Sequence, residues 1–442
     1  MLSLRIALST LFTCVALPAL GAGYGLKEHS ADAMAAAYAG AAATSSDASY
    51  LAYNPAALAG VADDDLSVSL VAILPGSKAT YTTATTSAGN PTGGSPSDSG
   101  FISDALVPAF ALRHRLSDRW TMGVNVSAPW GLRTDYPSNW AGRYYADKTE
   151  LLTINATPSI AYQLTPGIAV GAGLQVEFAQ GTLTSVIDTG TLGALNLIPG
   201  SIPGGQDSFG RLSGHDWAFG YTIGATAKLT DEFTVGLSYR SSLKHTLKGP
   251  LTFTLDGAGV GATLRAVTGL FTNTTQSTAL TMPDMVLIGA RHDFGNWSLL
   301  GELDWTNWSK FRELRVVAAN AAQPNDVTTT RWENTIFASL GVEYRASPLW
   351  TFSGGIGYDE SPVPDTTREP RIPDADRLWL SGGARYRMTE NIDVNLTLSR
   401  LFNRKTNVTL NPAIPGAALR GTLNGTTESY VNVAGLQLSW RP

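Results

Sequence analysis

The chain has 442 residues and a formal net charge of −5, with only 15% charged residues alongside 45 glycines and 11 tryptophans. That charge fraction is low against the ~25% usual in soluble proteins, and after the first 22 residues no run of about 18 apolar residues occurs, which excludes helical membrane spans. The negative charge argues against a nucleic-acid partner. Sparse charge with many glycines and aromatics fits a sheet protein that shows one face to lipid, and on composition alone a soluble β-sandwich array is the alternative.

Residues 1–21 have the layout of a secretory leader. Arg5 carries the positive charge, Ile6–Ala16 form the apolar stretch, and Pro18-Ala19-Leu20-Gly21 the small-residue exit. Cys14 is the sole cysteine, so cleavage after Gly21 leaves none, and no disulfide framework, zinc–cysteine site or thiol nucleophile is expected. Residues 22–64 read as a small alanine-rich helical unit. Ser30 is placed to cap a helix over Ala31–Tyr38 and Gly40 to end it. Asp47 caps a second short turn, and Asn54 followed by Pro55 is a cap with proline at the first helical position. Helices this short are marginal in water and need a wall to pack on.

From residue 65 to the end the pattern is strand-like, with fourteen candidates at 66–74, 105–116, 119–128, 149–163, 168–184, 214–229, 233–247, 278–293, 296–318, 329–346, 348–360, 374–388, 391–410 and 424–441. Many alternate with period two. Ile392, Val394, Leu396 and Leu398 point one way, and Asp393, Asn395, Thr397 and Ser399 the other. Short connections, such as Ser117-Asp118, alternate without exception with long ones, such as 185–213. Short periplasmic turns, long outer loops and an even strand number describe an outer-membrane barrel, whose closed ladder also satisfies every backbone group in lipid. The predicted fold is therefore an all-β transmembrane barrel of 14 antiparallel strands at residues 65–442, with its lumen plugged by a helical hatch. Arginine facing lipid at mid-bilayer costs ~2–4 kcal/mol, so Arg240, Glu343, Arg385 and Arg387 are assigned to the lumen or its rims.

Nothing in the sequence organises a catalytic centre. The five histidines lack metal-ligand spacing, and no G-x-S-x-G occurs. No enzyme activity, cofactor or metal is expected. One Asn54-Pro55-Ala56 copy without membrane half-helices does not make a water channel. Gly257-Ala258-Gly259-Val260-Gly261 reads as flexible loop, and 358–379, rich in proline, arginine and aspartate, as a stiff ion-paired outer turn, with ligand contact as the alternative. The cluster Trp140, Arg143 and Tyr144 fits either contact with an amphipathic acid or an interfacial girdle.

Ordered motifs spread over nearly the whole mature chain carry a closer identification. They are Glu28-His29-Ser30, Asp47-Ala48-Ser49, Asn54-Pro55-Ala56, Ala128-Pro129-Trp130-Gly131-Leu132, Gly142-Arg143-Tyr144, Ser238-Tyr239-Arg240-Ser241, Pro283-Asp284, Trp305-Thr306-Asn307-Trp308-Ser309, Asp359 through Pro364, and Ile372-Pro373-Asp374 through Ser381. On these the chain resembles the FadL/TodX-type outer-membrane transporters of long-chain fatty acids and other hydrophobic compounds. The resemblance implies passive uptake: capture among the outer loops, a tighter inner site, then sideways exit at a kinked third strand when the hatch shifts. It places Tyr24, Trp130, Leu132, Trp140, Arg143 and Tyr144 as ligand contacts, and Asn54, Pro55, Ala56, Gly123 and Pro129 as hatch and gate, with Asn54-Pro55-Ala56 against the kink. The implied partners are a hydrophobic ligand, outer-membrane lipid and lipopolysaccharide, for a monomeric chain. Gln180 and Glu333 align near the basic residues that hold the carboxylate in the fatty-acid member, so that pair is not retained there, and neutral hydrocarbons or aromatics stand beside fatty acids as ligands. A general diffusion porin and an outer-membrane lipid hydrolase are the alternative functions. Trp440 keeps the final alternation, and Arg441-Pro442 overhang it.

Overall fold

A computed structural model describes residues 22–59 and 64–442; the expected leader at 1–21 and the end of the hatch at 60–63 lie outside the described residues. Fourteen spanning strands run in sequence order. They are β1 (Asp65–Thr85), β2 (Ala105–Arg115), β3 (Trp120–Ser127), β4 (Lys148–Thr165), β5 (Ile168–Asp188), β6 (Asp207–Lys228), β7 (Phe233–Arg240 with Leu243–Thr254), β8 (Thr274–Met282 with Met285–Phe294) and β9 (Trp297–Thr306 with Glu313–Ala318). Then come β10 (Thr335–Arg345), β11 (Trp350–Asp359), β12 (Arg377–Arg387), β13 (Ile392–Asn403 with Thr406–Leu410) and β14 (Thr422–Trp440). Each pairs antiparallel with its chain neighbour, and β1 closes the barrel on β14 from Leu66↔Trp440 to Thr85↔Thr422. Closure pairs the strands all the way round the barrel, apart from the upper part of the β2–β3 seam.

The polarity is inverted relative to a soluble barrel. Leu396 and Leu398 are 61% and 69% exposed, whereas Asn395 and Thr397, which alternate with them, are each 3% exposed and face the lumen. Half-exposed aromatics gather near the short turns, paired as Trp120 with Tyr162, Trp297 with Tyr344 and Trp350 with Tyr386 at 4.4–4.6 Å between ring centres. They form the aromatic girdle of a membrane barrel. Arg385 reaches the hatch at Asp32, Arg291 meets Glu343 at 2.8 Å inside the wall, and Arg387 sits at the rim on Asp393 at 3.2 Å.

The hatch fills the lumen. Ser30 accepts from Ala33 N–H as the cap of helix α1 (Ala31–Ala35), Asp47 caps the 3-10 turn Ala48–Ala52, and Asn54 caps the 3-10 turn Pro55–Leu58. All three expected caps are therefore in place, but the first helix is shorter than the expected Ala31–Tyr38. α1 stops at Ala35 because Ala37 and Tyr38 turn left-handed (φ 52° and 61°), which swings the Tyr38 ring onto Trp379. The run of alanines has a geometric cause. A Cβ at Gly236 of β7 would lie 1.9 Å from Ala42 O, and one at Gly355 of β11 2.2 Å from Ala36 O, so small hatch residues lie against bare wall backbone. Polar bolts complete the seating: Ala42 N–H donates to Glu302 at 3.1 Å, Ala48 N–H to Asp65 at 2.8 Å, and Gln437 Nε2 to Asp47 at 3.0 Å.

A candidate ligand path and its N-terminal gate

The candidate path begins among the long outer connections. After β5 the chain forms helix α2 (Thr189–Leu195), capped by Asp188, whose carboxylate accepts from Thr191 N–H at 2.8 Å. After β7 it forms helix α3 (Val260–Thr268), whose first N–H groups, Val260 and Gly261, donate to Asp256 at 3.1 and 2.6 Å. The glycine cluster expected as flexible loop is thus a helix start, with Gly259 at φ 86° turning the chain into it. Beneath lies an open groove of about 690 Å³, walled by Leu183, Val186, Leu212, Leu251, Phe253 and Phe271 and rimmed by Tyr144. That volume is within the usual range for small-molecule sites. Tyr144 OH and Arg143 Nε both donate to Asp207, each at 2.7 Å, so Arg143 is spent on fixing the rim. Trp140 is buried, stacked on Tyr136 at 4.4 Å with its Nε1 donating to Ala146 O, and lines neither the groove nor the chambers below it.

Leu183 and Leu212 continue downward as walls of a smaller, almost wholly apolar chamber of about 60 Å³, shared with Leu132, Leu247, Leu280 and Phe311. Tyr24 closes its floor. The ring of Tyr24 is held by Trp308 at 4.7 Å, Trp332 at 5.4 Å, Phe311 at 5.6 Å and Trp130 at 5.9 Å, mostly edge to face. Trp308 reaches it because β9 breaks at Asn307 into the 3-10 turn Trp308–Lys310, an interruption that the continuous apolar pattern at 296–318 did not reveal.

The wall beside Tyr24 is irregular. β3 ends at Ser127, and Ala128-Pro129-Trp130 turn inward before Gly131–Asp135 resume pairing with β4. At the turn a side chain replaces the ladder: Trp130 N–H donates to Thr153 Oγ1 at 3.1 Å and Thr153 Oγ1 donates to Trp130 O at 2.7 Å. The inner edge of the kink is taken by the N-terminal segment, with Leu26 N–H donating to Pro129 O and Gly131 N–H to Tyr24 O, both at 2.8 Å. On the other side, β2 pairs with β3 only over Phe110–Arg115, and the next contact outward is the bridge Ile102↔Thr134. Ala105–Ala109 therefore border a window in the barrel wall.

Two gate assignments are corrected by this geometry. Gly123 does not weaken β3: it is paired with Arg113 on β2 and Ser159 on β4, and its missing Cβ makes room for Leu58 of the hatch, which would be 2.6 Å away. Asn54-Pro55-Ala56 do not touch the kink. They lie against β5 and β6, where a Cβ at Gly224 would be 2.0 Å from Asn54 Oδ1, and Asn54 Nδ2 donates to Ala42 O and Ala225 O at 2.6 and 3.1 Å. The kink meets Tyr24 and Leu26 instead, and only Pro129 of the expected gate residues is in it. Gln180 and Glu333 are both exposed and line neither the groove nor the two chambers.

Below Tyr24 a second chamber of about 80 Å³ is lined by Leu26, Lys27, Glu28, Pro129, Trp130 and Arg240 among others. It is rich in charge: Lys27 pairs with Asp304, Arg240 lies 4.0 Å from Glu177, and Asp359 lies 3.7 Å from Arg377. Sequence reasoning missed Phe311, Thr153 and Leu183, which are ordinary strand or loop residues until the register puts them at the path.

Residues 12–441 match the family described as outer membrane protein transport protein (OMPP1/FadL/TodX). The long-chain fatty acid transport protein of Escherichia coli K12 is 27% identical over 452 residues, covering 96% of this chain and 97% of that one. Outer membrane protein P1 of Haemophilus influenzae is 25% identical, with 98% of each chain covered. The crystal structure of a Pseudomonas aeruginosa FadL homologue superposes with a TM-score of 0.85 at 25% identity, over 95% of this chain and 100% of that one. The Pseudomonas putida toluene transporter TodX shares the fold, with a TM-score of 0.69 at 17% identity over 95% and 99% of the two chains. With the closed fourteen-stranded barrel, the lipid-facing apolar surface and the seated hatch, the chain belongs to the OMPP1/FadL/TodX family of outer-membrane transport proteins.

Proposed function

We propose that the chain takes up hydrophobic small molecules passively: capture in the outer groove, transfer to the apolar chamber above Tyr24, and lateral exit through the window between β2 and β3. The observation that carries this is the shared wall of Leu183 and Leu212, which joins groove to chamber, ending at a floor made by Tyr24 and a kink held by the same segment. Related proteins are described as transporting long-chain fatty acids and toluene, and the apolar walls of groove and chamber suit hydrophobic cargo of either class. Sideways exit follows from relative cost. Straight descent would carry an apolar ligand into the charged lower chamber, where displaced hydration and broken ion pairs are expensive, whereas the window opens toward lipid. No energy source is required, since the ligand moves down its gradient into the bilayer.

The outward girdle contacts outer-membrane lipid and lipopolysaccharide, and one chain closes the barrel, so a monomer is sufficient. An open diffusion pore fits poorly with a lumen occupied by buried hatch residues. The chain acts without catalysis in this reading. A reversible lock tests it. Gly25 and Trp130 are bridge partners, and antiparallel partners lie within the ~4.4–6.8 Å Cα range of a disulfide. Gly25→Cys with Trp130→Cys should stop uptake when oxidised and restore it on reduction; equal uptake in both states would exclude this gate.

A further inference from the structure

The outward face of the wall changes character at one level of β6. Toward the short turn, Trp217, Phe219, Tyr221 and Ile223 alternate outward, all exposed to lipid. Toward the long outer connections the same row continues as His215 and Arg211, both exposed. On β7 the outward row is Lys244 and Lys248, set between the inward, buried Leu243, Leu247 and Leu251. The ladder joins the two rows: Lys248 stands opposite His215, and Thr252 opposite Arg211. The step itself is continuous, with the His215 ring 6.1 Å from Phe178 and Phe178 5.2 Å from Trp217. A basic row therefore stands directly on the aromatic edge of the apolar band, on its outer side.

Charge and shape both single out this row. The chain is net negative, and exposed cations elsewhere on it are paired, as Lys228 is with Asp231 and Lys405 with Glu428. Arg211, Lys244 and Lys248 make no ion pair among the described residues. Asp216, between His215 and Trp217, is committed to the Thr246 N–H at 2.7 Å and faces the buried His245 at 3.9 Å. Beside Lys248 the wall is hollowed into an open depression of about 400 Å³ across β7, β8 and β9, where the outward neighbours Thr275, Ser277 and Ala319 are small.

The occupant must answer three demands. Unpaired lysine and arginine at the edge of a bilayer call for phosphate, which arginine's fork grips in two-pronged fashion, and long basic side chains reach such a group while their stems lie on apolar surface. Hydroxyls of Thr275 and Ser277 around the hollow suit a saccharide. The exposed rings of Trp217 and Phe219 immediately below need acyl chains against them. At ~3.3 Å per residue, Lys244 and Lys248 are separated by about 13 Å along the strand, room for more than one phosphate. A phospholipid brings a single backbone phosphate and a small head, whereas the phosphorylated, acylated disaccharide of lipopolysaccharide meets all three demands.

We propose that the β6–β7 wall is a docking site for lipopolysaccharide, with Arg211, His215, Lys244 and Lys248 on its phosphorylated disaccharide and Trp217 and Phe219 against its acyl chains. The proposal rests on the lipopolysaccharide contact put forward above and gives it a place. That place is on the strands that carry α2 and α3, so a bound glycolipid braces the mouth of the outer groove. The test is native mass spectrometry of the purified full chain in detergent, titrated with bisphosphorylated lipid A, dephosphorylated lipid A and phosphatidylglycerol. The unaltered chain should bind bisphosphorylated lipid A at least tenfold more tightly than either other lipid. Arg211→Gln with Lys244→Gln and Lys248→Gln should weaken that binding at least tenfold and leave dephosphorylated lipid A within twofold. Arg345→Gln with Arg404→Gln and Lys405→Gln removes the same charge from exposed positions elsewhere and should stay within twofold of the parent. Lys248→Gln alone, with a loss of at least threefold, serves where the triple variant misfolds. Unchanged lipid A binding by the β6–β7 variant, or an equal loss in the control variant, would overturn the site and leave a diffuse lipopolysaccharide contact standing. Equal affinity of the parent for phosphatidylglycerol would make the wall a surface for any anionic lipid and overturn the assignment. If the parent bound no lipid A, the lipopolysaccharide contact itself would fall, and the site with it.

Discussion

Lys27 ties the N-terminal segment to the wall through a buried ion pair, and its removal has a calculable consequence. Its ammonium pairs with Asp304 and lies 4.0 Å from the centre of the Phe337 ring. The Asp304 side chain is 3% exposed and that of Lys27 18%, so the pair is essentially desolvated. Truncating one partner of a buried pair costs about 3–5 kcal/mol, because the other charge stays behind uncompensated. That carboxylate is relieved only if the segment lifts and water enters, so Lys27→Met moves the docked–undocked balance toward undocked. At 1.4 kcal/mol per decade, even the lower figure is about a hundredfold. Leu26 is 5% exposed and docks its N–H on Pro129 at 2.8 Å, so a Leu26→Cys reporter is shielded until the segment leaves. With fast opening and closing, its labelling rate by a water-soluble maleimide tracks the undocked population. Lys27→Met in that background should raise the rate about a hundredfold. Adding Asp304→Asn should return most of it, since the stranded charge is then gone. A single variant that labels no faster than its parent would refute the latch, and a double variant as fast as the single would refute Asp304 as its partner.

Three further outcomes follow from the same geometry. Gly236→Val puts a side chain where Ala42 O lies 1.9 Å from the Cβ position, a backbone clash that the wall cannot absorb; the hatch should unseat, and planar bilayers should show steady ion conductance where the parent shows little. Thr153→Val strands the N–H and C=O of Trp130; leaving buried polar groups unpaired costs about 1–3 kcal/mol each, so the midpoint of thermal unfolding should fall by several degrees and uptake with it. Burial raises the Asp256 carboxyl, but N–H donors from Gly261 and Val260 outweigh that and hold it below the ordinary 3.8. Its contribution to α3 is therefore complete above that ordinary value and is lost as pH falls through the depressed one, so ligand capture by the groove should weaken in acid, and Asp256→Asn should flatten that part of the profile.

The barrel was legible because lipid imposes a period. Wherever a strand crosses the apolar band, as Ile392–Ser399 do, alternation is strict and the register can be read. Outside that band the constraint lapses. β1 continues beyond Leu74 to Thr85 as a ribbon with β14, through Pro75-Gly76-Ser77, where no apolar face is needed. β12 begins at Arg377 and not at the expected 374, because Asp374 is spent on Arg377 and on Gly23 N–H. The hatch caps were legible from local chemistry alone. What they pack on was not: Asn54 finds β6 through Gly224 and Ala225, a pairing separated by some 170 residues that leaves no trace in spacing. The ion-paired reading of 358–379 held for Arg368 and Arg377, whereas Arg371 between them donates to Thr149, Thr184 and Ser185.

Placing the proposed gate at the N-terminal segment and not at Asn54-Pro55-Ala56 changes what would have to move. The Asn54 turn is wedged between two strands whose glycines leave no clearance, and shifting it would break the Asn54 bonds to Ala42 and Ala225 together. The Tyr24–Leu26 segment is held by two backbone bonds to the kink, the Tyr24 hydroxyl donating to Thr281 O at 3.2 Å, a ring cage, and on either side the Gly23 N–H bond to Asp374 and the Lys27 salt bridge. A ligand entering the apolar chamber competes directly for that cage, because Tyr24 and Phe311 are themselves chamber walls. Each contact a tail makes with Phe311 is one that Tyr24 gives up, so ligand binding and segment release are coupled through shared surface and need no further relay. Lifting Tyr24 also removes its carbonyl from Gly131 N–H and frees the inner edge of the window in the same movement. On the proposed route the hatch would stay seated throughout, and a hydrophobic ligand would leave sideways while the lumen remained closed to ions.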